Sequence, residues 1–316
     1  MLLRPVAALA LICVHCLGTA APDPVPTTSQ LGPTTHRVPV TLGQWTGFTV
    51  DLGAIQGVSG VGDALYIYGD AETGVIAEYD LQAARRGELV PTGRRLKLTI
   101  GGEDVAPHPT GLTSLDGRVA ILGDTVARVG KIHFIDWELA WARGTLDGAI
   151  LHSVQDDAAI NGTRPHAVRF DGHWLIATSD YGDSQNAVRL YDPELLRLAE
   201  KTSEPGVLRH SFRCGPYVQN VHWLDELGVL MLIQNREPGL LYRLGLASLV
   251  ELQQGADLRD VPNIDLDAPT DELEGFATLG GGMCIMVSAM PVDNVWIGPM
   301  RIGSPTGGST QRQRRS

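Results

Sequence analysis

Lysine is nearly missing from this chain: Lys97, Lys131 and Lys201 are the only three among 25 basic residues. With 36 acidic residues the net charge is −11. That excludes the basic face on which nucleic-acid binders depend. Cysteine is scarce as well. Of four, Cys13 and Cys16 fall in the first 21 residues, leaving Cys214 and Cys284. The chain has no cysteine zinc spacing after residue 21, and Cys214 and Cys284 have two readings, a disulfide that export permits or buried free thiols acting as small hydrophobes. After residue 21 no apolar run is long enough for a membrane helix. Helical periodicity is weak: only Glu194–Lys201 and Gly245–Gln253 suggest a turn or two. There is no GxSxG elbow, HExxH, Walker loop or Rossmann fingerprint.

The first 21 residues read as an export signal. Arg4 gives a positive start, Pro5 to Leu17 is apolar apart from His15, and small residues Gly18 to Ala21 suit cleavage. The expected location is secreted or periplasmic, with no membrane span once the signal is removed. Residues 22–35 are Pro/Thr/Ser-rich and read as an extended spacer. Residues 303–316 are Gly/Ser-rich, end in Arg312, Arg314 and Arg315, and read as a disordered tail. The folded part is 36–302.

That part is built from repeats. Gln56-Gly57-Val58, Thr110-Gly111-Leu112, His166-Ala167-Val168, Gln219-Asn220-Val221 and Glu274-Gly275-Phe276 start five units. Their spacings are 54, 56, 53 and 55 residues. Each start is followed by a turn, an apolar strand, a polar break, a third strand and a more variable fourth segment. Four strands repeated at this period predict propeller blades, because a lone four-stranded sheet cannot cover both faces. The fold class is all-β, a five-bladed propeller. His36 to Leu52 has no repeat of its own and is expected to complete the last blade. A degenerate sixth blade is the alternative.

In outline the chain resembles the β-propeller superfamilies. The starts His108-Pro109-Thr110-Gly111-Leu112 and Glu274-Gly275-Phe276 are similar to blade starts in calcium-dependent propellers of the gluconolactonase and paraoxonase type. The resemblance implies lactonase or esterase chemistry with a bound Ca²⁺. That group usually has six blades, and the five repeats depart from it.

Propeller geometry places the start of strand one and the end of strand two at one face, around the axis. The starts are Gln56, Thr110, His166, Gln219 and Glu274, all polar. Fourteen residues on stand Asp70, Asp124, Asp180 and Ser288, with Gln234-Asn235 in the fourth repeat. His108, Arg164, Tyr217, Asn220 and His222 flank the starts. These residues predict a polar axial funnel that binds a ligand. Asp at a strand end also caps turns, so Asp70, Asp124 and Asp180 have a structural reading too. Tyr79-Asp80, Ile135-Asp136 and Tyr191-Asp192 are read as structural turns on the opposite face. His166 suits a general base. Glu274, Asn220, Gln219 and Asp180 offer hard oxygen ligands for Ca²⁺. A glycosidase needs two facing carboxylates; the starts offer only Glu274 and would have to recruit Asp70, Asp124 or Asp180.

Three functions follow as expectations. The first is an exported propeller binding a small molecule or divalent metal in the funnel. The second is a metal-dependent hydrolase or lyase, with His166 and Glu274 catalytic. The third is a scaffold for an extracellular protein.

Overall fold

The period of apolar strand and polar turn is realised as five blade sheets whose repeat strands pair antiparallel. The computed structural model describes residues 11–14, 37–41 and 45–303, apart from 160, 183–185, 236–241, 262 and 268–271. Blade one comprises Ile55–Val61, Ala64–Asp70, Gly74–Asp80 and Pro91–Lys97. Blade two comprises Pro109–Ser114, Val119–Val126, Val129–Asp136 and Ile150–Asp156. Blade three comprises His166–Phe170, His173–Ser179, Ala187–Tyr191 and Leu208–Arg213. Blade four comprises Val218–Leu224, Val229–Gln234, Tyr242–Ser248 and Asn263–Asp267. Blade five contributes Leu273–Gly280, Met283–Ser288 and Val295–Gly303.

The first strand of each blade packs beside the first strand of the next, and that of blade five beside that of blade one. Apolar clusters fill the gaps. One joins Tyr68, Ile76 and Leu96 of blade one to Leu112 and Leu122 of blade two. Others join blades two and three through Phe134 and Ile176, three and four through Phe170 and Leu232, and four and five through Met231 and Phe276. The last gap is filled the same way, by Ile67 and Ile285. Burial of both sheet faces holds the ring together.

The leading segment divides its work. Thr46–Phe48 pairs antiparallel with Val295–Ile297 and supplies the fourth strand of blade five. Arg37–Thr41 instead lies parallel along Asn263–Asp267, as an extra strand on blade four. So only part of 36–52 completes the last blade, and the one further sheet among the described residues is the two-stranded pair Thr99–Ile100 and Glu103–Asp104, too small to be a sixth blade. Asn294 fastens the closure: its Oδ1 accepts from Val50 N at 2.8 Å and its Nδ2 donates to Val50 O at 2.8 Å. The expected signal, spacer and tail lie outside the described residues, apart from Leu11–Val14, which pairs with Met300–Gly303.

The Asp endings on the far face cap helices. Asp80, Asp136 and Asp192 accept hydrogen bonds from the first-turn amides of Leu81–Arg85, Trp137–Arg143 and Pro193–Leu196. In blade four Ser248 does this with Glu251 in a capping box, opening Leu249–Gln253. The helix expected from Gly245 therefore starts four residues later, because Gly245 to Ser248 belong to the third strand. No helix among the described residues is long and apolar enough to cross a membrane. Cys214 and Cys284 are both buried, in different gaps between blades.

Candidate functional site

A polar residue followed by an apolar strand has a backbone cause. In four blades the ladder between strands one and two slips by one residue at the start. The extra residues are Gln56, Thr110, Gln219 and Glu274. A bulge leaves one residue outside the ladder and re-aims its side chain. The bulged side chains reach beyond their own strands. Thr110 donates to the backbone oxygen of Thr163, and Gln219 Nε2 donates to Glu274 Oε1 at 3.0 Å. Blade three has no bulge; His166 pairs directly with Ala177.

Two residues before each start lies a second ring: Ala54, His108, Arg164, Tyr217 and Glu272. The ends of strand two brace it. Asp70 Oδ1 accepts from Ala54 N at 3.1 Å, and Asp124 Oδ1 accepts from His108 N at 3.1 Å. Asn235 N donates to Tyr217 O at 2.9 Å, and Ala289 N to Glu272 O at 3.1 Å. Asp70 and Asp124 thus position the rim through its backbone. Asp124 is wholly buried, and burial pushes its carboxyl up to about 6. Asp180 Oδ2 accepts from Arg189 Nη1 on the third strand at 2.9 Å, and its charge also acts on Arg164 of the rim.

The densest part of the site spans blades three to five. Arg164 Nη2 donates to Gln219 Oε1 at 3.0 Å. The Gln219 amide bridges two carboxylates, donating to Glu272 Oε2 and Glu274 Oε1, each at 3.0 Å. Tyr181 donates its hydroxyl proton to Glu272. The Arg164 guanidinium stacks 5.3 Å from the Tyr181 ring, whose centroid lies 5.6 Å from that of Tyr217. Burial, reinforced by the Glu272 carboxylate, raises the Tyr181 hydroxyl, so it stays a donor. Glu274 is buried; Glu272, Tyr181 and Tyr217 are half-buried. Tyr217 is held at φ 58°, which a bulky residue adopts only when its surroundings impose it.

Beneath lies a plug that the sequence pattern did not expose. Tyr68, from the second strand of blade one, reaches Asn220 of blade four and lies close to Leu112, Arg164 and Glu274. One fully buried phenol therefore meets groups from all four other blades. A side chain therefore fills the axis at this level.

His166 stands against His222, with ring centroids 5.0 Å apart. Burial pushes its pKa down to about 4 and lowers His222 further. His166 is thus neutral and a weak base at pH 7. His108 is differently placed. Its Nδ1 meets Asp70 Oδ2 at 2.9 Å while its side chain is 39% exposed. Gln56 Nε2 donates to the same Asp70 oxygen at 3.5 Å.

The residues expected to hold calcium are brought only partly together. Asn220 donates to the Glu274 backbone oxygen at 3.4 Å and its own Oδ1 accepts from Val221 N at 2.8 Å. Asp180 faces Arg189. Among the described residues no group of three His, Cys, Asp or Glu side chains is placed to hold a metal ion. The second carboxylate beside Glu274 is Glu272, not one of the three strand-end aspartates.

No protein-family model matches the sequence, and no curated protein matches it. Solved structures do. Hydrazine synthase of Kuenenia stuttgartiensis is matched at TM-score 0.42 and 14% identity over 77% of this chain; the chain spans 58% of that one. The PQQ-bound aldose sugar dehydrogenase of Streptomyces coelicolor is matched at TM-score 0.42 and 12% identity, over 82% of this chain and 97% of that one. An engineered GH43 glycoside hydrolase is matched at TM-score 0.45 and 10% identity, over 77% and 49%. The chain's own five sheets, each first strand packed beside the next around a ring, make it a five-bladed β-propeller.

Proposed function

We propose that this is an exported propeller that binds a small molecule in the upper axial cup. The carrying observation is the pair of stacked polar rings: four bulges turn Gln56, Thr110, Gln219 and Glu274 out of their ladders, and His108, Arg164, Tyr217 and Glu272 form a rim above. Polar groups around a pocket closed by Tyr68 fix a ligand's orientation more than they stabilise the ring. A thermal-shift screen of small polar molecules tests this. Hits should lose most of their shift in His108→Ala and Glu272→Gln. Hits that shift both variants as they shift the wild type would remove the rim from the site.

The His108–Asp70 pair supports a second reading, a hydrolase. Asp70 orients the imidazole, so that Nε2 faces outward as a proton acceptor. In this reading His108, rather than His166, takes a proton from an attacking water. Ester and lactone panels on the wild type, His108→Ala and His166→Ala separate the two; turnover unchanged in His108→Ala contradicts it. Calcium has its own test: a saturable rise in melting temperature with Ca²⁺ that Glu274→Gln abolishes.

A further inference from the structure

We infer that the propeller has a second site, a cleft on its far face that takes a neutral sugar ring. It is separate from the upper cup and does not rest on the function proposed above.

The cleft lies where the inner strands of blades two, three and four reach the far face. Ser114, Leu115, Ala167, Trp174, Trp223 and Asp225 line it, around a volume of about 160 Å³. A cavity of about 150 Å³ is large enough for a six-membered ring.

Trp174 carries the inference. Six residues before the end of strand two, the other blades have Ala64, Arg118, Gly228 and Gly282. The fold is therefore satisfied there by a small or polar residue, yet blade three sets an indole that is 42% exposed. Leu115 of blade two, on the same cleft, is 37% exposed. Apolar side chains left exposed together around a cleft mark a binding surface. The second indole is anchored: Trp223 is buried, and its Nε1 donates to Asp225 Oδ1 at 3.1 Å.

The polar groups choose the ligand class. Asp225 is exposed. An apolar ligand covering it would strip water from a carboxylate and return no donor. Arg169 is the cross-strand partner of Trp174, so its exposed side chain leaves the sheet on the same face. A cation gains from Asp225 and loses to Arg169, and an anion does the reverse. The Ser114 hydroxyl is engaged in its own turn, donating to Val119 O at 2.7 Å and accepting from Gly117 N at 2.8 Å. What suits the remaining groups is a neutral ring with a C–H face for the indole and hydroxyls that donate to Asp225 and accept from Arg169. A sugar has both.

The test is calorimetric titration of the full chain with cellotetraose, xylotetraose, maltotetraose and chitotetraose, each to millimolar concentration. At least one should bind saturably. Trp174→Ala should weaken that sugar about tenfold. Asp225→Asn, which keeps an acceptor for the Trp223 indole, should weaken it about threefold or more. Both variants should match the wild type in circular dichroism. Glu272→Gln, in the upper cup, should leave the sugar's affinity unchanged. If none of the four binds, or if Trp174→Ala binds as the wild type does, the inference is overturned. Sugar binding lost in Glu272→Gln and kept in Trp174→Ala also overturns it, while supporting the binding function of the cup.

Discussion

Gly57 makes room for Tyr68. A Cβ at position 57 would overlap the phenol of Tyr68, which crosses over this glycine to reach the axis. Gly275 does the matching work on the next blade: a Cβ there would lie 3.0 Å from Val58 N and 3.1 Å from the Gly57 Cα. Inner strands this close bring one tyrosine to fill the axis between them. Gly57→Ala is expected to destabilise the protein by about 1–3 kcal/mol through overpacking. Urea unfolding reads this directly; an unchanged midpoint would show that the ring gives way more easily than its packing implies.

Asn294 should be the costliest single residue of the closure. It satisfies both the amide and the carbonyl of Val50 and donates to Met290 O at 3.0 Å. Asn294→Ala leaves buried backbone groups unpartnered and is expected to cost about 2–4 kcal/mol. Trp45 packs over Gly298 next to this strand, so its fluorescence should follow the same transition. Loss of Trp45 signal at a lower urea concentration than the circular dichroism would mean that the closure opens before the ring does.

Acid should weaken the fold. Burial lowers the pKa of His133 and His166 from 6.5 to about 4, and that of His222 further. The unfolded chain therefore takes up protons first. The stabilisation is complete above about pH 6.5 and is lost as the pH falls toward 4. Asp124 runs the other way: its pKa is raised to about 6, so its protonation below that pH favours the folded chain. Three histidines outweigh one aspartate, and the melting temperature should drop between pH 7 and 4. His166→Gln should make the drop shallower. A flat profile would contradict neutral, buried histidines.

Calcium addition separates the readings of Glu274. Its carboxylate is already engaged by Gln219 and faces Arg164. Wild-type melting temperature is expected to stay constant as Ca²⁺ is titrated. A saturable rise, lost in Glu274→Gln, would place a metal in the cup instead.

The repeats were legible because each blade start sets a polar residue before an apolar strand, and a bulge requires that residue to leave the ladder. The rim was half legible. His108, Arg164 and Tyr217 flank the starts visibly, whereas Glu272 merged into an acidic stretch with Asp271. Stepping back two residues from every start would have isolated it. Tyr68 and Tyr181 were hidden for another reason: Tyr68 comes from a second strand and Tyr181 from the loop just after one, and only the fold carries them to the axis. Tyr68 had one local sign, a glycine facing it on the neighbouring strand. The strand-end aspartates share a position but not a role, since Asp70 and Asp124 brace rim amides while Asp180 meets Arg189, a partner contributed by the third strand.

The most direct measurement is a crystallographic soak with a diverse set of small polar fragments. The account predicts that bound fragments gather at the upper mouth, touching Glu272, Tyr181 and Tyr217. Fragments that instead collect on the opposite face, around the exposed Trp174 and Leu115, and leave the upper mouth empty would contradict it.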